Sequence, residues 1–400
     1  MIIGPRQCGK TTLMRFLADG LQKEGEQVLF FNLDIEEDNE FLQSQKILLQ
    51  KIRLEFGERP GFIFLDEIQR KEGAGSFLKG LYDMNLPYKF IVSGSGNIEL
   101  KEKISESLMG RKRVFQMRPI LWREFVNFKT EYQYNDELDD FFVVEKEKTN
   151  DLLREYLSFG GYPKVVTAIS LSEKRAEIKE IFNSYITKDI VGWLRVEKIE
   201  SFEKVLKLSA AQIGNLIDFS SLANAGNVSI KTLKNYLWYL QKTFILEKCS
   251  PFFRNKKKEI VKSPIFYFYD LGLRNYAINR FDLVESFVDE VGLLFENFVF
   301  NELKNELQNS SVAINFWRTK SQAEVDFVID LGDKVMPVEV KFKNFTAPKI
   351  EKSLRSFIEK YSPEKAFVVN KNLTQQTIYQ KTKISFIPFW RIKEIVKNVV

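Results

Sequence analysis

A chain of 400 residues, 44% hydrophobic and 28% charged, has the composition of a soluble globular protein and is long enough for two or three cores. It holds no apolar run of roughly eighteen residues and no basic stretch leading into an apolar one, so it reads as cytoplasmic, with neither membrane span nor signal peptide. Histidine is absent and only Cys8 and Cys249 occur, which excludes Ser-His-Asp triads, histidine-based nucleases, zinc sites with imidazole or four cysteine ligands, and a disulfide framework; any chemistry rests on carboxylates, Lys, Arg, Ser, Thr and a hard metal, and the net charge of +6 is compatible with nucleic acid without indicating it.

The chain opens on "MIIGPRQCGKTTLMRFL". Met1–Ile3 reads as a strand, Gly4 to Thr11 fits G-x-x-x-x-G-K-[ST], and Leu13, Phe16, Leu17 and Leu21 fall at helical spacing. That is the context of a phosphate-binding loop. Gly4, Pro5, Arg6, Gln7, Cys8 and Gly9 would wrap backbone N–H groups around phosphate oxygens, with Thr12 behind them on the helix. Lys10 would hold the β and γ phosphates, and the Thr11 hydroxyl would ligate Mg²⁺. Cys8, inside the loop, is expected to face the bound nucleotide.

"QVLFFNLD" is a second strand, a helix is predicted around 43–56, and "GFIFLDEIQR" follows. Phe62 to Leu65 form the all-apolar run of a central parallel strand. Asp66 at its end would hold Mg²⁺, and Glu67 would polarise a water for attack on the γ-phosphate. After a further helix around 75–84, the strand "YKFIVSGSG" ends in Ser93, Ser95 and Asn97, each a candidate γ-phosphate or water sensor and each equally at home in a Ser-Gly turn. Strand and helix alternate at a spacing that gives a parallel sheet covered on both faces.

"GPRQCGKTTL", "FIFLDEIQ", "VSGSG" and "ESLMGRKRVFQMRPILWREF", with "YLSFGGYPKVV", "IFNSYITKDIV" and "IFYFYDLGLRNYAI" further on, resemble the prokaryotic AAA-type P-loop ATPases that carry a C-terminal domain of unknown function (the DUF4143 type). The resemblance implies ATP binding and hydrolysis. It makes Arg111, in "MGR", a candidate γ-phosphate-sensing arginine, against its reading as one of the surface bases Arg111, Lys112 and Arg113. Members of the group carry more chain ahead of the loop than Met1–Ile3. The sequence therefore predicts an N-terminally truncated first strand and adenine pocket, with weak ATP binding and poor discrimination among bases.

From about residue 121 helical patterns take over. Residues 213 to 246 read as helix, turn, helix, with Ile213, Leu216 and Ile217 on the first and Leu233, Tyr236, Leu237 and Leu240 on the second, capped by Ser229. Two β runs follow around a basic turn, Arg254 to Lys258. A winged helix would place Lys231 and Lys234 in a DNA major groove and the turn on phosphates; such modules also serve as packing lids.

The last segment predicts a helix over "VGLLFENFVFNELKNEL", carrying Glu296, then a hairpin over "AEVDFVIDLGDKVMPVEVKF", with Val325, Phe327 and Ile329 on one face. Glu339 and Lys341, two apart, share a face. An acid on a helix followed by D and E-x-K on a hairpin resembles the core of the restriction-endonuclease-like nucleases. That resemblance implies Mg²⁺ on Asp326, Glu339 and the Val340 carbonyl, with Glu296 nearby and Lys341 activating water. The same core also survives with inactive sites.

The expected fold class is α/β: a P-loop NTPase parallel sheet, a helical and winged-helix middle, and a C-terminal restriction-endonuclease-like α/β domain. The expected domains are 1–120, the AAA-type ATPase; 121–200, a helical lid or linker; 201–280, winged-helix-like; and 281–400, nuclease-like. The leading function is an Mg²⁺-dependent ATPase associated with DNA or a protein partner, of open oligomeric state. The alternatives are an ATP-gated, Mg²⁺-dependent DNA nuclease and a non-catalytic nucleotide switch that presents a partner-binding domain.

Overall fold

The computed structural model describes residues 1–95, 108–186, 198–254, 262–283, 289–308 and 310–397. The chain divides into two compact units, the first built on Met1–Pro119 and the second containing most of the remainder. Among the described residues no helix is long and apolar enough to cross a membrane.

The first unit holds a five-stranded sheet. In chain order its elements are β1 (Ile2–Gly4), α1 (Lys10–Lys23), β2 (Val28–Asn32), α2 (Glu36–Phe41), α3 (Gln45–Phe56), β3 (Gly61–Asp66), α4 (Ala74–Asp83), β4 (Tyr88–Ser95) and β5 (Phe115–Gln116). The strand order is β2-β3-β4-β1-β5, with every pair parallel. Short β1 thus lies between β4 and β5.

Parallel strands joined by helices are buried on both faces, which is why Phe62 to Leu65 of β3 are all apolar. Ile63, Leu65 and Val92 pack with Leu48, Ile52, Leu78 and Leu81 on one side. Phe64 packs with Ile2, Met14 and Ala18 on the other. Each such side chain contributes about 1.5–3 kcal/mol of transfer free energy.

The phase of α1 differs from the sequence expectation. Leu13, Phe16 and Leu17 are 36%, 74% and 41% exposed, whereas Lys10, Met14 and Ala18 are buried. The phosphate loop sets this rotation. Lys10 must point back into the loop, and positions four and eight residues on then face the sheet with it. Leu13, Phe16 and Leu17 are turned outward as a result, while Leu21 still packs against the cluster of Met14 and Ala18.

The second unit begins with helices and ends in an eight-stranded sheet. Helices Ile199–Ala211, Phe219–Ala225 and Ile230–Lys242 precede β6 (Leu246–Pro251) and β7 (Ile265–Phe268). The helix expected over Ile213, Leu216 and Ile217 is absent: Leu216 forms a lone antiparallel bridge to Ile265. The first helix starts only after Asp218, whose side chain accepts from the N–H groups of Ser220 and Ser221. Asp218 is the better cap because a carboxylate can take both orphan donors. The second helix is as expected, with Ser229 accepting from Thr232 N–H and Leu233, Tyr236, Leu237 and Leu240 buried. Of the basic turn, residues 255–258 lie outside the described residues.

Helix Val291–Glu306 then leads into β8 (Ala313–Arg318), β9 (Glu324–Asp330) and β10 (Val335–Val340), followed by helix Lys352–Tyr361, β11 (Lys365–Asn370), β12 (Gln375–Tyr379) and β13 (Thr382–Pro388). The sheet order is β12-β13-β11-β10-β9-β8-β6-β7. β8, β9 and β10 are antiparallel, while β11 joins β10 in parallel. The hairpin has the expected register, with Val325, Phe327 and Ile329 fully buried. β6 pairs parallel with β8 through Ser250–Asn315 and Pro251–Phe316, so the β6–β7 hairpin continues the C-terminal sheet.

A knot of long-range hydrogen bonds explains two glycine-containing motifs. Asp270, buried and just before helix Leu271–Ala277, accepts from Gly161 N–H (2.7 Å) and Leu273 N–H (2.8 Å). A Cβ on Gly160, whose φ is +73°, would meet both Asp270 oxygens at 2.4 Å. One on Gly272 would lie 2.0 Å from the Phe159 carbonyl. Asn275 donates to the carbonyls of Leu157 and Ser158, both at 2.9 Å. "FGGYP" and "DLGLRN" are therefore two halves of one structural joint.

Candidate functional site

The loop between β1 and α1 curls because two of its residues take left-handed backbone, Gln7 at φ +55° and Gly9 at φ +99°. Such a turn aims successive N–H groups into one hollow, at the positive end of α1. Gly4 is required for a different reason: a Cβ there would come within 2.5 Å of the Met117 carbonyl. Lys10, 5% exposed, lies over the loop and donates to the carbonyls of Pro5 (2.6 Å) and Gly4 (3.2 Å). Thr12 is exposed on the first turn of α1.

At the end of β3, buried Asp66 ties the site together. Its Oδ2 accepts from the Thr11 hydroxyl at 2.6 Å, and its Oδ1 accepts from the Ser93 hydroxyl. A buried carboxylate beside a threonine hydroxyl is a set of hard oxygen donors, which suits Mg²⁺. Asp66 and Thr11 are the residues that would hold it.

Glu67 has φ +56°, an uncommon conformation for a residue with a side chain. Its N–H donates to Asp66 Oδ1 (3.2 Å) and Ser93 Oγ (3.1 Å). Its carboxylate accepts from Gln69 Nε2. Burial raises the Glu67 carboxyl above its ordinary pKa, against the pull of Lys10 and Gln69 in the other direction. Acids shifted this way are suited to proton exchange near neutral pH.

Three sequence expectations need revision. Ser93 is fully buried and its hydroxyl is committed to Asp66, so it braces the two acids. The Cys8 thiol is 1% exposed and packs beneath the loop, where a Cβ on Gly4 would touch its sulfur at 3.3 Å; only its backbone belongs to the cradle. Burial pushes its pKa up, so alkylation in the native protein is expected to be slow and to reach the denatured rate only on unfolding. Intact mass after timed maleimide exposure measures this; rapid native labelling that ATP blocks would restore a thiol facing the nucleotide. Arg111 is exposed, and its described partners are Asp83 at 3.3 Å and the Tyr82 ring, at the far end of α4 from the loop residues. Asn97 lies outside the described residues, and Ser95 closes β4.

In the second unit the fold brings together Glu296, Asp326, Glu339 and Lys341. Asp326 Oδ2 accepts from Val340 N–H at 2.6 Å. Lys341 Nζ pairs with Glu339 Oε1 at 2.6 Å. Glu339, 4% exposed, has its Oε2 buried without a hydrogen-bond partner among the described residues. Tyr267 of β7, fully buried, donates its phenol to Glu296 Oε1 at 2.5 Å. No motif announced Tyr267, since its partner is 29 residues away.

Burial and then Asp326 push the Glu339 carboxyl up to about 8. Burial and then Asp326 also raise Glu296 well above its usual range, and burial raises Asp326. Burial alone would lower the Lys341 ammonium, but Asp326 and Glu339 outweigh it and hold it above its ordinary value. In this arrangement, among the described residues, no three acidic or thiol side chains are grouped to grip one metal ion. One Glu339 oxygen, Asp326 Oδ2 and Glu296 Oε1 are each engaged by a protein donor.

Three segments of the chain match known families. Residues 1–126 match the family described as AAA domain, 150–283 a domain of unknown function (DUF8612), and 291–392 a second domain of unknown function (DUF4143). An uncharacterized protein of Methanocaldococcus jannaschii is 24% identical over 98% of this chain and 87% of its own. One from Haemophilus influenzae is 24% identical over 86% and 82%, and one from Mycobacterium tuberculosis 25% over 89% and 72%. The solved structure of AMPPCP-bound DnaA from Aquifex aeolicus aligns with 60% of this chain and 80% of that chain at 16% identity, with a TM-score of 0.27. The chain thus joins an N-terminal segment that matches an AAA domain to a C-terminal segment that matches DUF4143.

Proposed function

We propose that this protein is an Mg²⁺-dependent ATPase that converts ATP and water to ADP and phosphate. The observation that carries the reading is the triangle of Thr11, Asp66 and Ser93, with Glu67 held beside it. Lys10 and the loop amides would bind the triphosphate, and bound Mg²⁺ would neutralise charge on its oxygens. Glu67 would orient the water and take its proton. A non-catalytic switch would keep the cradle without needing Glu67. Turnover of ATP by the purified chain, with and without duplex DNA, is the test: binding without phosphate release would leave only the switch.

A second reading rests on the C-terminal cluster. A helix carrying Glu296 is followed by the β9–β10 hairpin that carries Asp326 and Glu339, the pattern on which the nuclease resemblance rests, and the orphaned Glu339 Oε2 supports a cation partner. Asp326 and Glu339, with the Val340 carbonyl, would be its ligands and Glu296 would lie nearby, once the carboxylates turn from the donors that now engage them. Lys341 would then turn from Glu339 toward the water or the scissile phosphate. DNA association is supported by the sequence of helix Ile230–Lys242, which has three lysines and no acid. The order helix, single bridge, helix, helix, hairpin fits a winged helix.

Cation binding requires deprotonated carboxylates. These have raised pKa values, Glu339 at about 8, so divalent affinity at this site is expected to rise as pH is raised toward about 8, with proton release on binding. Calorimetry in buffers of different ionisation enthalpy measures the release; pH-independent binding without it would sink the site. DNA cleavage, if present, should vanish in Lys341→Ala while ATP turnover persists.

A further inference from the structure

Glu67 is held from two sides. Its N–H is tied to Asp66 and Ser93, which fixes where the residue starts. Its carboxylate is held by the amide of Gln69. Gln69 belongs to the 3₁₀ turn Ile68–Arg70 that follows β3, and Arg70 N–H closes that turn onto the Glu67 carbonyl at 2.9 Å. The two side chains thus leave one tight turn together.

Gln69 is 8% exposed. Burying an amide carries a desolvation cost that an apolar side chain would not incur, and fully buried Ile68 shows that this turn accepts apolar residues. The terminal torsion of a glutamate is soft and roughly two-fold, so a carboxylate anchored only at its backbone would present either oxygen in many directions. A donor on Oε2 removes that freedom and leaves Oε1 to accept a proton.

We propose that Gln69 is a positioning residue for hydrolysis, its amide fixing Glu67 Oε2 so that Oε1 is the oxygen offered to the attacking water. The proposal rests on Glu67 as the base. It predicts an effect on turnover without an effect on ATP binding, because neither Gln69 nor the carboxylate it holds belongs to the phosphate cradle.

The test uses the full chain in four forms: Gln69→Leu, Gln69→Glu, Glu67→Gln, and Glu67→Gln with Gln69→Leu. Phosphate release gives kcat and KM, and a fluorescent ATP analogue gives affinity. Gln69→Leu should lower kcat about 10-fold or more with KM and affinity within about twofold, and on the Glu67→Gln background it should change the residual rate by less than about twofold. Gln69→Glu is nearly isosteric and cannot donate when ionised; it should show the same kcat loss, and it decides the matter if the leucine variant does not fold.

A parental kcat in Gln69→Glu overturns the proposal. So does a loss of ATP affinity that matches the loss of kcat, or a Gln69→Leu penalty equally large on both backgrounds. If Glu67→Gln itself keeps full turnover, the base reading fails. Slow Glu67→Gln beside fast Gln69→Glu sinks the Gln69 role alone.

Discussion

Glu67→Gln is expected to bind ATP with parental affinity and hydrolyse it about 100-fold or more slowly, the usual scale for removing a positioned general base. The amide keeps the size of the side chain but cannot accept a proton. Asp66, Thr11 and Lys10 are untouched, so the triphosphate and metal contacts should remain. Lys10→Ala should do the reverse, losing affinity first, because the buried ammonium lies over the loop. Filter retention of labelled nucleotide separates the two outcomes. Retained ATP with normal phosphate release in Glu67→Gln would remove that residue from the chemistry.

The second large effect is on stability. Asp270→Ala should destabilise the second unit by about 3 kcal/mol or more, since it strands buried N–H groups of Gly161 and Leu273 that the carboxylate satisfies and each unsatisfied donor costs roughly 1–3 kcal/mol. Asparagine in its place turns one donor against another and should recover only part of the loss. The effect should appear as a lower urea midpoint followed by tryptophan fluorescence, with ATP affinity unchanged in the folded protein. A midpoint equal to the parent's would mean that the joint between "FGGYP" and "DLGLRN" relaxes without cost.

What the sequence made legible was local. Gly4 to Thr11 and Asp66–Glu67 were readable because a phosphate loop and an acidic strand end each lie within ten residues of chain, and the sheet containing them followed from alternation. The hairpin from Glu324 to Val340 was readable from its period of two. The rotation of α1 was not: Leu13, Phe16 and Leu17 look like a core stripe, and only the need to aim Lys10 at the loop reverses it.

Partnerships across long stretches were equally hidden. Ser93 meets Asp66 over 27 residues and Asp270 meets Gly161 over 109, and no spacing rule connects either pair. Gln69 was in view beside Glu67, but an amide near an acid has no signature until the turn brings them together. Ser93 was legible as a polar strand end, but its hydrogen bond to Asp66 was not, because the two lie on different strands.

The parallel pairing of β6 with β8 has a consequence during synthesis. Ser250 and its neighbour Asn315 are 65 residues apart, and a ribosome adding roughly 5–20 residues per second makes the second partner about 3–13 s after the first. For that interval one edge of β6 has no strand beside it, and an open edge invites pairing with another nascent chain.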